Sequence, residues 1–194
     1  MNHLDERILY FFNRTLRSDF LDAFVLQATD LSFWIVVILV FVGIFFIKER
    51  KVRFSVIVFV IAWALADAVT MSLKLWFHRP RPLLTLEWVQ ALDFQNNPSF
   101  PSGHALIAMA YAVILSYHYA QFRFVFYFMA LLIGLTRVYM GLHYFSDILA
   151  GFAIGVPVGY LSLFLEKRLG QIFLKFRALP KTAATSPATP KEGH

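Results

Sequence analysis

At 194 residues, 59% of them hydrophobic and 22 of them Phe, the chain has room for one domain and is too apolar for an ordinary soluble one. It contains no cysteine, which excludes disulfides, thiolate metal sites and a Cys nucleophile, and leaves the redox compartment unread. The net charge of +6 suits anionic lipid or phosphate better than nucleic acid, because the cations flank apolar runs and form no continuous stripe.

Residues 4–17 set Leu4, Ile8, Phe12 and Leu16 four apart, with Leu9 and Phe11 beside them and Asp5, Glu6, Arg7, Arg14 and Arg17 opposite. This predicts an amphipathic helix over 1–19, lying in the membrane interface or, equally, folded against the bundle. It is too charged to span and lacks the pattern of a signal peptide. The first spanning run is Leu31–Ile47, followed by the basic loop Lys48-Glu-Arg-Lys-Val-Arg53. A second span, Phe54–Leu73, carries one acid, Asp67, and ends at Lys74. Asp67 reads first as a structural hydrogen-bonder to a neighbouring span.

The Pro- and Asn-rich stretch Arg79–Phe100 reads as an extramembrane loop. Three further spans follow at Gly103–Tyr119, Phe122–Thr136 and Phe145–Leu165. Residues 179–194 are low in complexity and read as a disordered tail. The fold expected is all-α: an integral-membrane helical bundle of five or six spans with an N-terminal interfacial helix, one domain over residues 1–178. The Lys/Arg bias marks the 48–53 side as cytoplasmic. Span parity then places three polar clusters together on the opposite face.

Those clusters are Lys74-Leu-Trp-Phe-His-Arg-Pro-Arg81-Pro82, Pro101-Ser102-Gly103-His104, and Thr136-Arg137 continuing to His143 and Asp147. Small residues continue the line of each histidine at a spacing of four. Gly151, Gly155 and Gly159 follow His143 and Asp147, and Ala108, Ala112 and Ser116 follow His104. Such ridges let membrane helices approach closely, which turns both histidines inward.

A phosphate ester requires neutralised oxygens, an in-line nucleophile and a proton for the leaving group. Lys74, Arg81 and Arg137 supply the cations. Ser102 and the amides around Gly103, at the start of a helix, form an anion cradle. The i, i+4 pair His143 and Asp147 lets the carboxylate hold one ring nitrogen and leaves the other free to attack. His104 is then the general acid. No cluster has a metal-ligand set, so neither metal nor cofactor is expected. His78 and His118 read as interfacial.

At these residues the chain resembles the phosphatidic acid phosphatase type-2 superfamily, whose signature is Lys-x6-Arg-Pro, Pro-Ser-Gly-His and Ser-Arg-x5-His-x3-Asp. Lys74 to Pro82, Pro101 to His104, and Arg137 to Asp147 match it with every spacing intact, so the resemblance covers residues 74–147. One departure is Thr136, which stands where the family has Ser. The resemblance implies a metal-independent lipid phosphatase in which His143 is phosphorylated, His104 protonates the leaving group and water releases phosphate. A bacterial inner-membrane location, with the site facing the periplasm, is expected on the same ground. Undecaprenyl diphosphate, phosphatidylglycerol phosphate, phosphatidic acid and the 1-phosphate of lipid A are candidate substrates. The competing reading is a lipid-phosphate binding or transport protein that uses the same cationic pocket. A haloperoxidase is disfavoured because those relatives are soluble.

Overall fold

The computed structural model describes residues 3–27 and 50–178, and among these every regular element is helical. Helix α1 is His3–Tyr10 and runs on through a π-turn, Phe11–Thr15. Helix α2 covers residues 19–27. The long α3, Arg50–Phe77, is followed by a single turn, α4, Pro82–Thr85. Helix α5 is Gly103–His118, and a 3-10 turn at Ala120–Phe122 leads into α6, Arg123–Tyr139. The last, α7, is Phe145–Ala178.

Among the described residues, three helical stretches are long and apolar enough to cross a membrane: Ile57–Thr85, Ala120–Tyr139 and Phe145–Gln171. Helix α5, with 16 residues, is shorter. Its length of roughly 24 Å falls a little below a full hydrocarbon thickness. The expected span at 31–47 and the tail at 179–194 lie outside the described residues. Several boundaries differ from expectation. Helix α3 begins at Arg50, so residues 50–53 of the basic stretch expected as a loop are helical, and it ends at Phe77, past Lys74. Helix α7 continues 13 residues past Leu165, where Glu166 pairs with His118 at 3.5 Å and Lys167 lies 4.9 Å over the Tyr117 ring. The 79–100 loop is also not wholly irregular, since it contains α4.

The glycine line on α7 does pack, against α5. A Cβ at Gly151 would come within 2.7 Å of the Ser102 carbonyl, and one at Gly155 would run into the Leu106 carbonyl. A Cβ at Gly159 would lie 2.8 Å from that of Val113. The small-residue line on α5 takes another partner: Ala108 and Ala112 meet Ala130 of α6, with Phe126 and Ile133 alongside. Helix α5 is thus held on two faces, its Ala105–Leu106 side by α7 and its Ala108–Ala112 side by α6.

Helix α1 folds against the bundle, and with an unexpected face. Asp5, Leu9 and Asn13 are buried, whereas Leu4, Tyr10, Phe11 and Leu16 are exposed. Asp5, placed by periodicity on the outer polar side, faces inward instead. Its partners are polar groups of the bundle, and burial without them would be costly. Asn13 is fully used: its amide donates to the Tyr139 and Gln90 carbonyls at 2.7 and 3.0 Å, and its oxygen accepts from Gln90 N at 2.9 Å. This stitches the 83–100 loop and the end of α6 to the N-terminal helix.

Candidate active site

Four helix ends supply the polar clusters. Lys74 is on the last turn of α3, buried to 7% exposure. Ser102 is the N-cap of α5, its hydroxyl accepting from Ala105 N at 3.4 Å, which satisfies one of the orphan amides of the first turn. Helix α6 ends in a Schellman turn: Leu142 N donates to Arg137 O at 3.1 Å and Gly141 N to Val138 O at 3.0 Å. Gly141 has φ +73, and a Cβ there would lie 2.7 Å from Val89. This reversal delivers His143 into the site within a few residues. Helix α7 then starts with half a capping box, the Tyr144 N–H donating to Asp147 Oδ2 at 2.9 Å. A backbone bond from Ser102 N to Asp147 O, 3.1 Å, locks the α5 and α7 starts together.

A cavity of about 240 Å³ opens at this junction. Lys74, Arg81, Gly103, His104 and His143 all line it, so five of the eight residues singled out by spacing share one wall. Asp147 and Ser102, both fully buried, stand behind it, and Arg137, buried on α6, is not among the lining residues. The Thr136 hydroxyl donates to Ile133 O at 2.7 Å, within its own helix. The Ser102 hydroxyl serves primarily as the helix cap.

His143 has a defined tautomer. Arg81 Nη1, which can only donate, lies 3.1 Å from His143 Nε2, so that nitrogen carries the lone pair and Nδ1 the proton. Nδ1 points toward Asp147 Oδ2 at 3.6 Å, an electrostatic contact longer than a hydrogen bond. Burial pushes the His143 imidazole down to about 4, against the pull of the Asp147 carboxylate, so the ring is neutral at neutral pH. Arg81 is itself fixed, donating to Leu142 O at 2.8 Å, Asn97 O at 2.8 Å and Asn97 Oδ1 at 2.6 Å.

Asp147 has a stronger partner than His143. Arg79 Nη1 donates to Asp147 Oδ1 at 2.6 Å and to Ser146 Oγ at 2.7 Å, its Nη2 pairs with Asp5 Oδ2 at 2.9 Å, and its guanidinium lies 4.1 Å over the Tyr144 ring. Asp5 in turn accepts from Ser146 N at 2.9 Å and Ser146 Oγ at 2.6 Å. Burial raises the Asp5 carboxyl, but the bonds from Ser146 and Arg79 together win and hold it below the usual carboxylate range. Arg79 and Asp5 escaped the reading by spacing. One stands at an unspecified position of the Lys-x6-Arg-Pro signature, and the other lies 74 residues away. Gln95, Asn97, Thr70 and Asp67 also line the cavity without having been singled out for it. Among the described residues no group of three or more His, Cys, Asp or Glu is placed to hold a metal ion.

Fold and site together define an integral-membrane helical protein with a cationic, two-histidine cavity at one end of the bundle. The family model described as the PAP2 superfamily matches residues 55–170, and the chain belongs to that family. Among curated proteins it is 34% identical over 116 residues to phosphatidylglycerophosphatase B of Bacillus subtilis, covering 54% of this chain and 53% of the relative. It is 36% identical over 75 residues to lipid A 1-phosphatase of Rhizobium johnstonii, covering 39% and 31%. The matches thus span about half the length of the first relative and a third of the second. Among solved structures, LpxE of Aquifex aeolicus superposes with a TM-score of 0.71 at 31% identity, covering 84% of this chain and 96% of that one.

Proposed function

We propose that the protein is a lipid phosphatase that removes phosphate from a membrane lipid on the extracytoplasmic face, through a phosphohistidine at His143. The observation that carries this reading is the Arg81 contact to His143 Nε2 at 3.1 Å, on the wall of a cavity shared with Lys74 and His104. It identifies the nitrogen that bears the lone pair, which accepts from Arg81 until an arriving phosphoryl group takes over that donor, and puts a guanidinium beside it. A phosphoryl group meeting Nε2 therefore meets a planar, doubly donating cation at the same place.

In the proposed reaction the Nε2 lone pair attacks phosphorus, the bond to the lipid oxygen breaks, and His104 gives that oxygen a proton. Water then attacks the phosphohistidine, returning the electron pair to Nε2, releasing phosphate and giving His104 back its proton. Lys74, Arg81 and Arg137 offset the oxygens' charge, so the mechanism calls for no divalent metal. Asp147 stabilises the cation that forms on His143. The extracytoplasmic assignment is supported by the Lys/Arg bias of the loops and by the meeting of the four helix ends on one side.

The test is phosphate release from detergent-solubilised lipids. His143→Ala is expected to abolish it, and chelator is expected to leave the wild-type rate unchanged. Turnover by His143→Ala near the wild-type rate would overturn the nucleophile assignment. Loss in chelator, restored by a divalent cation, would overturn metal independence.

A further inference from the structure

The cavity is longer than a phosphate site requires, and its lower part has a chemistry of its own. Its α3 wall runs from Lys74 down through Thr70 and Asp67 to Trp63, with Ile107 of α5 across from them. Seven residues separate Lys74 from Asp67, about 10 Å of helix. Asp67 lies within a membrane-spanning stretch, yet it makes no hydrogen bond or ion pair with any described residue. Thr70 is 6% exposed, and its buried hydroxyl has no partner among the described residues either. A buried hydroxyl left unsatisfied among the described residues is costly, and Asp67, exposed at the cavity beside it, sets an acid within a spanning stretch, where ionisable side chains are rare. The structural bond to a neighbouring span that Asp67 was expected to make is absent among the described residues.

We infer that Asp67 and Thr70 form a second subsite, which recognises a neutral hydrogen-bond donor on the lipid, a hydroxyl or amide N–H, held below the phosphate. This rests on the phosphatase reading and narrows its substrate. A carboxylate is an acceptor only, so it rewards donors. It also repels a second anion at that depth. Glycosyl phosphates, with hydroxyl and amide groups on the sugar, fit both demands. Polyprenyl diphosphates and phosphatidic acid offer hydrocarbon or ester oxygens there and no donor. A site built to pair a substrate donor discriminates strongly against a substrate lacking one, because its own polar groups are then left unpaired. The apolar end at Trp63 and Ile107 suits the acyl region beyond.

The experiment compares kcat/KM for lipid A 1-phosphate with that for phosphatidic acid, in mixed micelles, for the wild type, Asp67→Leu and Thr70→Val. The ratio of the first lipid to the second is expected to fall at least tenfold in Asp67→Leu and about threefold in Thr70→Val. The thermal midpoint of Asp67→Leu should be no lower than that of the wild type, since Asp67 is exposed and bonds to no described residue. An unchanged ratio with phosphate release intact would overturn the subsite alone. So would a ratio that moves only alongside a lowered midpoint, which would mark Asp67 as structural. Wild-type protein that releases phosphate from neither lipid, nor from undecaprenyl diphosphate or phosphatidylglycerol phosphate, would overturn the phosphatase reading together with the subsite.

Discussion

The two residues that differ most in how they could be read are His143 and Asp5. His143 stood out because three linked clusters at fixed spacing leave few chance explanations, and the structure places it on the same wall as Lys74, Arg81 and His104. Its lowered pKa gives a prediction with a definite sign. The attacking form is the neutral ring, so activity is lost as pH falls through the folded value. That value is about 4, well under the ordinary 6.5. The acid limb of kcat/KM, corrected for the ionisation of the substrate phosphate, is expected below pH 5. A limb near 6.5 would mean that the ring is not desolvated as described. Asp5 was invisible as a site residue because its partners, Arg79 and Ser146, lie 74 and 141 positions away and leave no periodic trace. Its depressed pKa contributes stability that is present in full above the unfolded value, near 4, and lost as pH falls through the lower folded one. Asp5→Asn is expected to cost about 2 kcal/mol at neutral pH, as for a hydrogen bond to a charged group. It should also flatten the acid limb of a plot of unfolding midpoint against pH. An unaltered limb would remove Asp5 from the network that holds Arg79 and Asp147.

Helices were legible where hydrophobic runs are long, and less so where two apolar phases compete. The start of α5 and the end of α6 fall within a few residues of expectation, because Ser102 and Gly141 are the residues that a cap and a reversal demand. Amphipathicity was partly right at α1, where Ile8, Leu9 and Phe12 pack on the core. In a membrane protein the apolar arc has two places to go, lipid or bundle, so the moment alone does not say which face meets protein. Here Leu4 and Phe11 turn outward and the mixed line Asp5, Leu9, Asn13 turns in. The glycine line on α7 was legible as a packing ridge, but its partner face was not, since Gly-x-x-x-Gly fixes one surface of a contact only. A paired substitution tests that contact. Gly155→Ala forces a methyl against the Leu106 carbonyl, which is backbone and cannot swing away. A loss of about 1–3 kcal/mol is expected, as for overpacking. Gly170→Ala has nothing within 4 Å and should be neutral or stabilising by up to about 1 kcal/mol through helix propensity. Equal thermal midpoints for the two variants would show that α5 and α7 do not approach as closely as described.

For the whole molecule, the feature that turns a bundle into a candidate enzyme is that the cationic helix ends gather on one side of it. The C-terminal end of α3 and the N-terminal end of α5 line the cavity, His143 reaches it from the turn between α6 and α7, and the opposite ends carry His118, Glu166 and Lys167. A lipid whose tails stay in the bilayer can bring its phosphate to such a site laterally, toward the wall that α3 and α5 mostly supply. The proposed extracytoplasmic side rests on the basic stretch 48–53, whose last four residues open α3, and on span parity. The chain contains no cysteine, so single cysteines report without background. Glu87, exposed in the loop over the cavity, and Arg168, exposed near the far end of α7, mark the two sides. On intact cells a membrane-impermeant thiol reagent is expected to label Glu87→Cys and to reach Arg168→Cys only after permeabilisation. The reverse pattern would place the cavity in the cytoplasm. Lipid phosphates reaching the outer leaflet would then be out of its range, and only those still in the inner leaflet would remain as substrates.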